Sequence, residues 1–325
     1  MKKYPLSRIR PINISFLFVL ILVLFCGVGC KTNIYVAGFE SSIGESDVGK
    51  YWKNGEPVLL PDATYINSMF ISGKDIYIVG TSKNSKGNSV ATYWKNEKAV
   101  ILNGGVSAKS IFVSGKDVHV VGIDAEYSPG EEMPNTVVKY WKNGEPITLS
   151  GGYDVRAVFV SGNDVYVVGS GKAKYWKNGQ AMMQDSPGFA ESIFISGTDV
   201  YIAGQAANSK GNYVATYWKN GEVVFLGDDS TITNASSIFV VGNDVHVAGW
   251  ENSGGKNFAK YWKNGVAITL DGGSSATSIF VSGNDVYIAG IGTNREHKNV
   301  AMYWKNGEPV YLSGGSQAVS IVVVQ

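Results

Sequence analysis

The stretch that decides the fold is Tyr-Trp-Lys-Asn-Gly at residues 261–265, which recurs with small changes along the chain. Its tryptophan returns every 35 to 47 residues, at Trp52, Trp94, Trp141, Trp176, Trp218, Trp262 and Trp304. Asn-Gly favours a tight hairpin turn, and β-branched and aromatic residues on both sides favour strands. Self-similarity at this period predicts a repeat architecture.

Each repeat contains four short strand-forming runs separated by turn signals, which we label A to D. In one repeat they are Ser278–Val281 (A), Val286–Gly290 (B), Tyr303–Lys305 (C) and Val310–Leu312 (D). Four antiparallel strands in about 40–45 residues is the spacing of a β-propeller blade. Apolar and polar residues alternate only weakly in A and B, as expected where stacked blades bury both faces of the inner strands.

The two ends of the chain predict how the ring closes. Residues 33–38 read Asn-Ile-Tyr-Val-Ala-Gly, a strand B without its A, and residues 320–324 read Ser-Ile-Val-Val-Val, a strand A without its B. Counting both, each strand type occurs seven times. The predicted fold class is therefore all-β, a seven-bladed β-propeller with four antiparallel strands per blade, closed by pairing of the N- and C-terminal strands.

The turn and core positions of the repeat resemble the bacterial extracellular repeats called the HAF family. The resemblance rests on Trp262–Gly265, Leu270–Gly273, Ala276–Ile279 and Ile288–Gly290, and it extends over all seven repeats. It implies an exported bacterial propeller. Because the matching positions serve turns and packing, it implies no active-site residues, and the Ser-Gly-Asn-Asp hairpin here is longer than in that family's frame.

The first 30 residues predict export. Basic residues within positions 2–10 precede the apolar run Phe16–Phe25, and small residues then lead to Cys30, an order that resembles the bacterial lipobox. We predict a lipoprotein-type signal peptide over 1–29, a lipid on Cys30 and a propeller over 30–325. An uncleaved apolar anchor, and an incidental thiol after ordinary cleavage, are the open alternatives. The expected location is the cell envelope, at the outer membrane or cell surface if there are two membranes.

Charge and cysteine content exclude several classes of protein. The chain has 28 basic and 27 acidic residues; because four of the basic ones lie in the first ten positions, the remainder is mildly acidic. Such a body lacks the basic surface that nucleic-acid binding requires. The only cysteines are Cys26 and Cys30, so no disulfide framework is expected.

Loop lengths divide the predicted disc into two faces. The A–B spacing is constant, at seven residues from Phe112 to His119 and in every other internal repeat, and the C–D turn is constant too. We call the side with these hairpins the constant face. The B–C connection instead runs from 6 residues (Gly169 to Tyr175) to 18 residues (Gly122 to Tyr140), so we call its side the variable face. Because function concentrates on variable loops, we expect the variable face to bind.

Candidate binding residues are those that differ between otherwise matching repeats. One such position precedes the core of strand A and holds Asn67, Lys109, Arg156, Glu191, Ser236, Thr277 and Val319. If strand A is innermost, these side chains surround the central channel. Lys109, Arg156 and Glu191, on three successive blades, then form a candidate site for a charged or hydroxylated ligand, with Asn67 beside it. The alternative is that these side chains are solvated at the starts of their strands and bind no partner.

Aromatic residues outside the repeated positions form a second candidate set. Trp250 is the one tryptophan outside the repeat position, and Tyr65, Tyr127, Tyr153 and Phe189 also fall on the variable face. Rings beside Asn and Ser suit stacking on sugars, so Trp250 and Tyr153 join the candidate ligand site. Packing of loops, or plugging of the channel, is the alternative. The seven repeated tryptophans are expected in the core.

Established catalytic and metal motifs are missing from the sequence. His119 and His246 take the place of a repeated Tyr in strand B, which predicts packed imidazoles, and His297 lies in a loop. No metal-ligand spacing, nucleophile elbow, Walker loop or dinucleotide fingerprint is found, so no cofactor is expected. The repeated Lys of strand C and the Asp of the A–B hairpin predict weak surface ion pairs on the constant face.

These observations predict a membrane-anchored propeller lipoprotein that acts without catalysis, as a binding or interaction platform, through its variable face. A carbohydrate-active hydrolase or lyase using Glu131, Glu132 or Glu191 is one alternative, and a scaffold for envelope protein assembly is another. The expected partners are the membrane, through the N-terminal lipid, and an envelope glycan or protein. We expect a monomer that does not bind nucleic acid.

Overall fold

The structure, a computed structural model, describes residues 32–41, 46–126, 135–171, 175–182, 188–227, 231–296 and 298–325. Within these ranges every regular element is a strand, and the 28 strands form seven antiparallel sheets of four. The segment Asn33–Val324 is one compact unit. In the same ranges no helix is long and apolar enough to cross a bilayer.

The strands follow the predicted order A, B, C, D through the chain. Before the first complete blade come three strands: β1 (Asn33–Glu40), β2 (Val48–Lys53) and β3 (Glu56–Leu59). Blades 1 and 2 contain β4 (Ala63–Ser72), β5 (Asp75–Lys83), β6 (Ser89–Lys95), β7 (Lys98–Ile101), β8 (Ser107–Ser114), β9 (Asp117–Glu126), β10 (Asn135–Lys142) and β11 (Glu145–Leu149). Blades 3 and 4 contain β12 (Gly152–Ser161), β13 (Asp164–Gly171), β14 (Tyr175–Lys177), β15 (Gln180–Met182), β16 (Gly188–Ser196), β17 (Asp199–Ala207), β18 (Tyr213–Lys219) and β19 (Glu222–Phe225). Blades 5 and 6, and the last strand, are β20 (Ile232–Val241), β21 (Asp244–Ser253), β22 (Lys256–Lys263), β23 (Val266–Thr269), β24 (Gly273–Ser282), β25 (Asp285–Thr293), β26 (Asn299–Lys305), β27 (Glu308–Tyr311) and β28 (Gln317–Val324).

The seventh blade is built from both ends of the chain. Its strand order is β28-β1-β2-β3, so the last strand pairs antiparallel with the first. Ile34 lies opposite Val323, and Val36 lies opposite Ile321. The predicted closure is confirmed, and with it the seven-bladed all-β propeller.

The hairpins of the constant face follow from Asn-Gly turn chemistry. In six blades the C–D turn places Asn and then Gly in the left-handed region, as at Asn264 (φ 50°) and Gly265 (φ 83°). The Asn side chain also makes hydrogen bonds to the start of strand B in the same blade. Asn264 Nδ2 donates to Asp244 Oδ1 at 2.8 Å, and Asn264 Oδ1 accepts from Val245 N at 2.8 Å. The repeated residues of this face therefore fix hairpin geometry.

The core lies between neighbouring blades. All seven repeated tryptophans are at most 2% exposed, which confirms that they are core residues. In blade 7 the indole of Trp52 donates to Ser313 O at 2.9 Å, in the connection that precedes that blade's strand A, and a Cβ on Gly315 would stand 2.4 Å from the ring. The Gly-Gly signal before strand A thus provides space for the tryptophan.

Strand A is the innermost strand of every blade. Strands β4, β8, β12, β16, β20, β24 and β28 contact one another in order, and β28 contacts β4 again. A belt of phenylalanines follows this ring: Phe70, Phe112, Phe159, Phe194, Phe239 and Phe280. Neighbouring ring centroids are 4.7–5.3 Å apart with interplanar angles of 46–56°, close to the one-seventh turn between blades. Val322 takes the equivalent place in blade 7, opposite Tyr35.

Candidate functional site

The variable position of strand A is a β-bulge in every blade. The pairing of A with B shifts by one residue there, which leaves one residue of strand A without an opposite partner. The bulged residues are Asn67, Lys109, Arg156, Glu191, Ser236, Thr277 and Val319. A bulge redirects a side chain out of the sheet's regular alternation. On the innermost strand, this puts seven variable side chains at the mouth of the channel on the variable face.

The glycine of the repeated Val-Gly or Ala-Gly in strand B makes the bulge sterically feasible. In blade 3, a Cβ on Gly169 would stand 2.2 Å from Asp154 O, and the same clash occurs at Gly122 with Ser107 O. All seven blades have glycine at this position and the same close approach of strand A. The closing Ala-Gly or Val-Gly of strand B therefore serves the bulge that forms the channel mouth.

Two of the seven bulge side chains donate a hydrogen bond to a backbone carbonyl of the next blade. Asn67 Nδ2 donates to Ala108 O of the next blade at 2.7 Å. Thr277 Oγ1 donates in the same way to Ala318 O at 2.7 Å. The predicted site residue Asn67 is thus a structural hydrogen-bond donor across the interface between blades 1 and 2.

Arg156 lies at the centre of a charged cluster on blades 3 and 4. Its Nη2 lies 2.8 Å from Asp154 Oδ2, and its Nε lies 3.6 Å from Glu191 Oε2. Asp154 is fixed in turn, because its Oδ1 accepts from Val155 N at 2.9 Å. Arg156 therefore has one close counter-ion on its own strand and one looser counter-ion on the next blade.

Lys109 completes the cluster from blade 2. Its Nζ has no hydrogen-bond or ion-pair partner among the described residues, although Asp154 and Arg156 both act on it electrostatically. Burial lowers the pKa of Lys109, the charge of Arg156 lowers it further, and Asp154 opposes both. Burial likewise raises the pKa of Glu191, against the effect of Arg156. The mouth thus holds an ammonium and a carboxylate that are both partly buried.

The predicted residues Lys109, Arg156 and Glu191 are therefore brought together, and Asp154 is a fourth member that the sequence analysis missed. The available signal was a carboxylate two residues before Arg156 on the same strand. In an ordinary strand, residues two apart lie on the same face of the sheet. Here the bulge at Arg156 and the hydrogen bond that fixes Asp154 bring the two side chains into a direct ion pair.

Two exposed aromatic side chains lie at the starts of the strands that carry the charged cluster. Tyr153 is 57% exposed and lies beside Asp154 at the start of β12, and Phe189, 39% exposed, lies at the start of β16. The ring of Phe189 packs 5.5 Å from that of Tyr213. Trp250 lies on β21 of blade 5, opposite Asn234, and is partly buried. Tyr153 and Phe189 thus neighbour the charged cluster along strand A of blades 3 and 4, whereas Trp250 belongs to the second strand of another blade.

The two histidines of strand B are packed, as predicted. His119 and His246 are each 4% exposed, and their Nδ1 atoms lie 2.7 Å from the hydroxyls of Tyr140 and Tyr261. Burial lowers the pKa of both imidazoles. Among the described residues there is no group of three His, Cys, Asp or Glu side chains that could hold a metal ion.

The constant face shows the predicted exposed ion pairs. In blades 1 to 6 the Lys of strand C lies 2.8–3.0 Å from the Asp that begins strand B, for example Lys95 from Asp75. Such exposed pairs each contribute little to stability.

A separate cleft of about 850 Å³ lies on the variable face between blades 6 and 7, lined in part by Glu40, Lys298 and Ser316. Next to it Lys50, whose side chain is 6% exposed, lies 2.6 Å from Glu40 Oε2 and also donates to Gly314 O. The buried charge beside this cleft already has its partners.

Several predicted features lie outside the described residues. These are Cys26, Cys30 and the signal peptide, and the loop residues Tyr127, Glu131, Glu132 and His297. The lipid on Cys30 and the assignment of 1–29 stay predictions.

The fold resembles propellers of known peptidases. An acylaminoacyl peptidase from Pyrococcus horikoshii superposes with a TM-score of 0.54 at 13% identity, over 88% of this chain and 51% of that chain. A puromycin-hydrolyzing peptidase from Mycobacterium tuberculosis gives 0.55 at 11% identity, over 85% and 53%. This chain thus spans about half the length of both.

A third structure is a propeller alone. The β-propeller domain of the Trilobed protease from Pyrococcus furiosus superposes with a TM-score of 0.50 at 13% identity, over 86% of this chain and 94% of that one. That domain has an open velcro topology, whereas β28 and β1 close the ring here. No family model and no curated protein matches the chain by sequence, so the resemblance to the HAF family stays a prediction.

These comparisons contradict the predicted function. The three solved structures compared above belong to peptidases or a protease, and they contradict the prediction of a non-enzymatic binding platform of the cell envelope, which is wrong. The carbohydrate-active enzyme and the envelope scaffold are set aside on the same ground. At 11–13% identity the likeness itself shows the seven-bladed propeller fold.

Proposed function

We propose that this chain is a hydrolase-related propeller that admits short peptides to the catalytic unit of a peptidase. Two solved peptidases share the fold and are about twice as long as the matched region, so in each of them half of the chain lies outside the resemblance. In this protein the blades fill residues 33–324, so we place the catalytic unit outside them.

The observation that carries this proposal is the mixed-charge mouth on a closed ring. Pairing of β28 with β1 closes the ring, and the phenylalanine belt lies along its innermost strands. Lys109, Arg156, Asp154 and Glu191 present both signs of charge at one end of the channel. An extended peptide has charged termini, polar amides and apolar side chains, which match the charged mouth and the apolar belt. Neighbouring rings of the belt stand only 4.7–5.3 Å apart around the channel, so a folded protein is too wide to pass.

The proposal is tested by purifying the protein from its native cells, untagged, together with whatever is joined or bound to it. Hydrolysis is then measured on a series of fluorogenic peptides of increasing length and on a folded protein. We expect peptidase activity to co-purify in fixed ratio with the propeller and to fall steeply from short peptides to the folded substrate. A purified native species without peptide hydrolysis would overturn the proposal, as would activity that is indifferent to substrate size.

We further propose that the chain is exported and carries a lipid on Cys30. The support is the order of basic residues, apolar run and small residues before that cysteine. Mass spectrometry of the mature N-terminus tests it, with Cys30→Ser as the matched variant. We expect a diacylated Cys30 in the native protein and release of the variant from the membrane fraction. An unmodified Cys30, or an intact signal segment, would contradict the proposal.

A further inference from the structure

We propose that the channel mouth binds the free C-terminal carboxylate of a short peptide between Lys109 and Arg156. This inference rests on the proposed function, since it names the part of the peptide that the mouth recognises. It follows from the two cations, the counter-ions already placed around them and the aromatic rings beside them.

Lys109 provides an ammonium that lacks an acceptor. Lys109 is the partly buried bulge residue of β8. Its Nζ makes no hydrogen bond or ion pair with any residue that the structure describes. A partly buried cation without a protein acceptor loses part of its hydration without compensation. An incoming anion would supply that missing acceptor.

Arg156 provides the second cation, and Asp154 orients it. The bond from Nη2 to Asp154 at 2.8 Å holds the guanidinium to one side, while Nε lies 3.6 Å from Glu191, beyond hydrogen-bond distance. The Arg156 side chain is 43% exposed, so donors of the fork are open to a ligand. A guanidinium suits the two oxygens of a carboxylate particularly well.

The charge of the cluster favours a monovalent anion. Lys109 and Arg156 are balanced by Asp154 and Glu191, so a phosphate dianion would meet two carboxylates near its binding position. A peptide carboxylate carries a single charge, and the carboxylate of Glu191 can accept hydrogen bonds from the peptide's own N–H groups. Tyr153 and Phe189 offer exposed rings to its apolar side chains.

Fluorescence anisotropy on the full chain tests the inference, with an N-terminally labelled pentapeptide of Ala and Phe as the probe. Three forms are compared: a free C-terminus, a C-terminal amide, and the amide with one Glu side chain. We expect the free acid to bind about tenfold more tightly than the amide, the usual effect of losing one charged hydrogen-bond partner. The Glu-containing amide separates a side-chain carboxylate from the terminal one and should bind like the plain amide.

Lys109→Met should bring the affinity for the free acid down to that for the amide, while Lys109→Arg keeps the charge and should keep the preference. The matched control is Ser236→Ala, the same bulge position on blade 5, where the preference should be unchanged. Equal binding of acid and amide by the wild type would overturn the inference. So would an undiminished preference in Lys109→Met, or a preference that Ser236→Ala removes equally.

This result is separable from that of the proposed function. A preference for the free acid without co-purifying peptidase activity supports the carboxylate site and refutes the proposed function. Co-purifying peptidase activity with equal binding of acid and amide supports the proposed function and refutes the carboxylate site.

Discussion

Gly122 lies so close to Ser107 that a Cβ on the glycine would stand 2.2 Å from the serine carbonyl oxygen. The contact joins Gly122, within strand B (β9), to the start of strand A (β8), next to the bulge that presents Lys109. Every blade repeats it, so the channel mouth depends on seven glycines that take no part in binding.

Gly122→Ala should therefore destabilise the protein and disturb the bulge of blade 2. The methyl group must displace backbone, so we expect a loss of about 3 kcal/mol in the free energy of unfolding. Urea denaturation measures this loss. Gly115→Ala is the control, because that glycine lies in an open hairpin with φ 61° and has no atom within 4 Å of a Cβ. A smaller loss for Gly122→Ala than for Gly115→Ala would contradict the account.

The buried histidines should make stability depend on pH. Burial keeps the pKa of His119 and His246 in the folded protein below the unfolded value of about 6.5. Below that pH the unfolded chain binds protons that the folded chain does not, so stability falls as pH falls from about 6.5. Above it the two histidines contribute no pH dependence.

Replacing both histidines by Tyr, as in the other blades, should flatten this dependence. Tyr166 shows that the site accepts a phenol, because its ring stacks on Tyr175 at 6.3 Å. Between pH about 7.5 and about 5, urea denaturation should show a smaller loss in the free energy of unfolding for the double variant than for the wild type. Identical losses in the two proteins would show that these imidazoles do not cause the pH dependence.

Glu97 is a non-glycine residue in a turn position that favours glycine. Its φ is 68°, where the other blades have Gly, and its Oε1 accepts from the hydroxyl of Tyr51 at 2.8 Å. Glu97→Gly should relieve about 1 kcal/mol of backbone strain and lose a hydrogen bond of similar value, so stability should barely change.

The pKa of Tyr51 should reveal the loss of its hydrogen bond to Glu97 in the Glu97→Gly variant. Burial, the hydrogen bond to Glu97 and its negative charge together raise the pKa of the phenol. In Glu97→Gly this pKa should fall, yet stay above its ordinary value because the burial remains. Ultraviolet titration measures it, with Tyr51→Phe subtracted to isolate the signal. An unchanged Tyr51 pKa would exclude the contact.

Val322→Phe should complete the phenylalanine belt. Val322 is the blade 7 counterpart of Phe280 and Phe70, and it packs, partly buried, against the core between blades 7 and 1. A seventh ring would gain two aromatic neighbours, worth about 0.5–1.5 kcal/mol each. The midpoint of thermal unfolding should therefore rise. Val324 lies outside the belt, so Val324→Phe should give no such rise. A lower midpoint for Val322→Phe would mean that the gap in the belt is required by packing.

The repeat made most of the fold predictable. Trp262 and its six equivalents fixed the period, and the incomplete repeats around Ile34 and Ile321 predicted the closing pair. Sevenfold repetition separates core from surface because packing positions must be alike in every blade. The same contrast isolated Lys109, Arg156 and Glu191 as positions that the blade does not dictate.

The site itself was less predictable. The bulge depends on a close backbone approach at glycine, and sequence spacing alone does not distinguish it from a regular strand. Asp154 was missed for that reason, and Asn67 was assigned to the ligand although its amide binds Ala108 of the next blade. Such contacts between neighbouring blades depend on the packing distance between sheets, which the repeat does not encode.

The central claim is that peptides bind at the mouth formed by the first strands of blades 2 to 4. Photo-crosslinking tests it directly, with a short peptide that carries a free carboxylate and a photoreactive side chain, and mass spectrometry locates the adducts. We predict adducts on residues 107–109, 153–156 and 189–191, reduced in Lys109→Met. Adducts confined to the constant-face hairpins or to the outer strands would contradict the account.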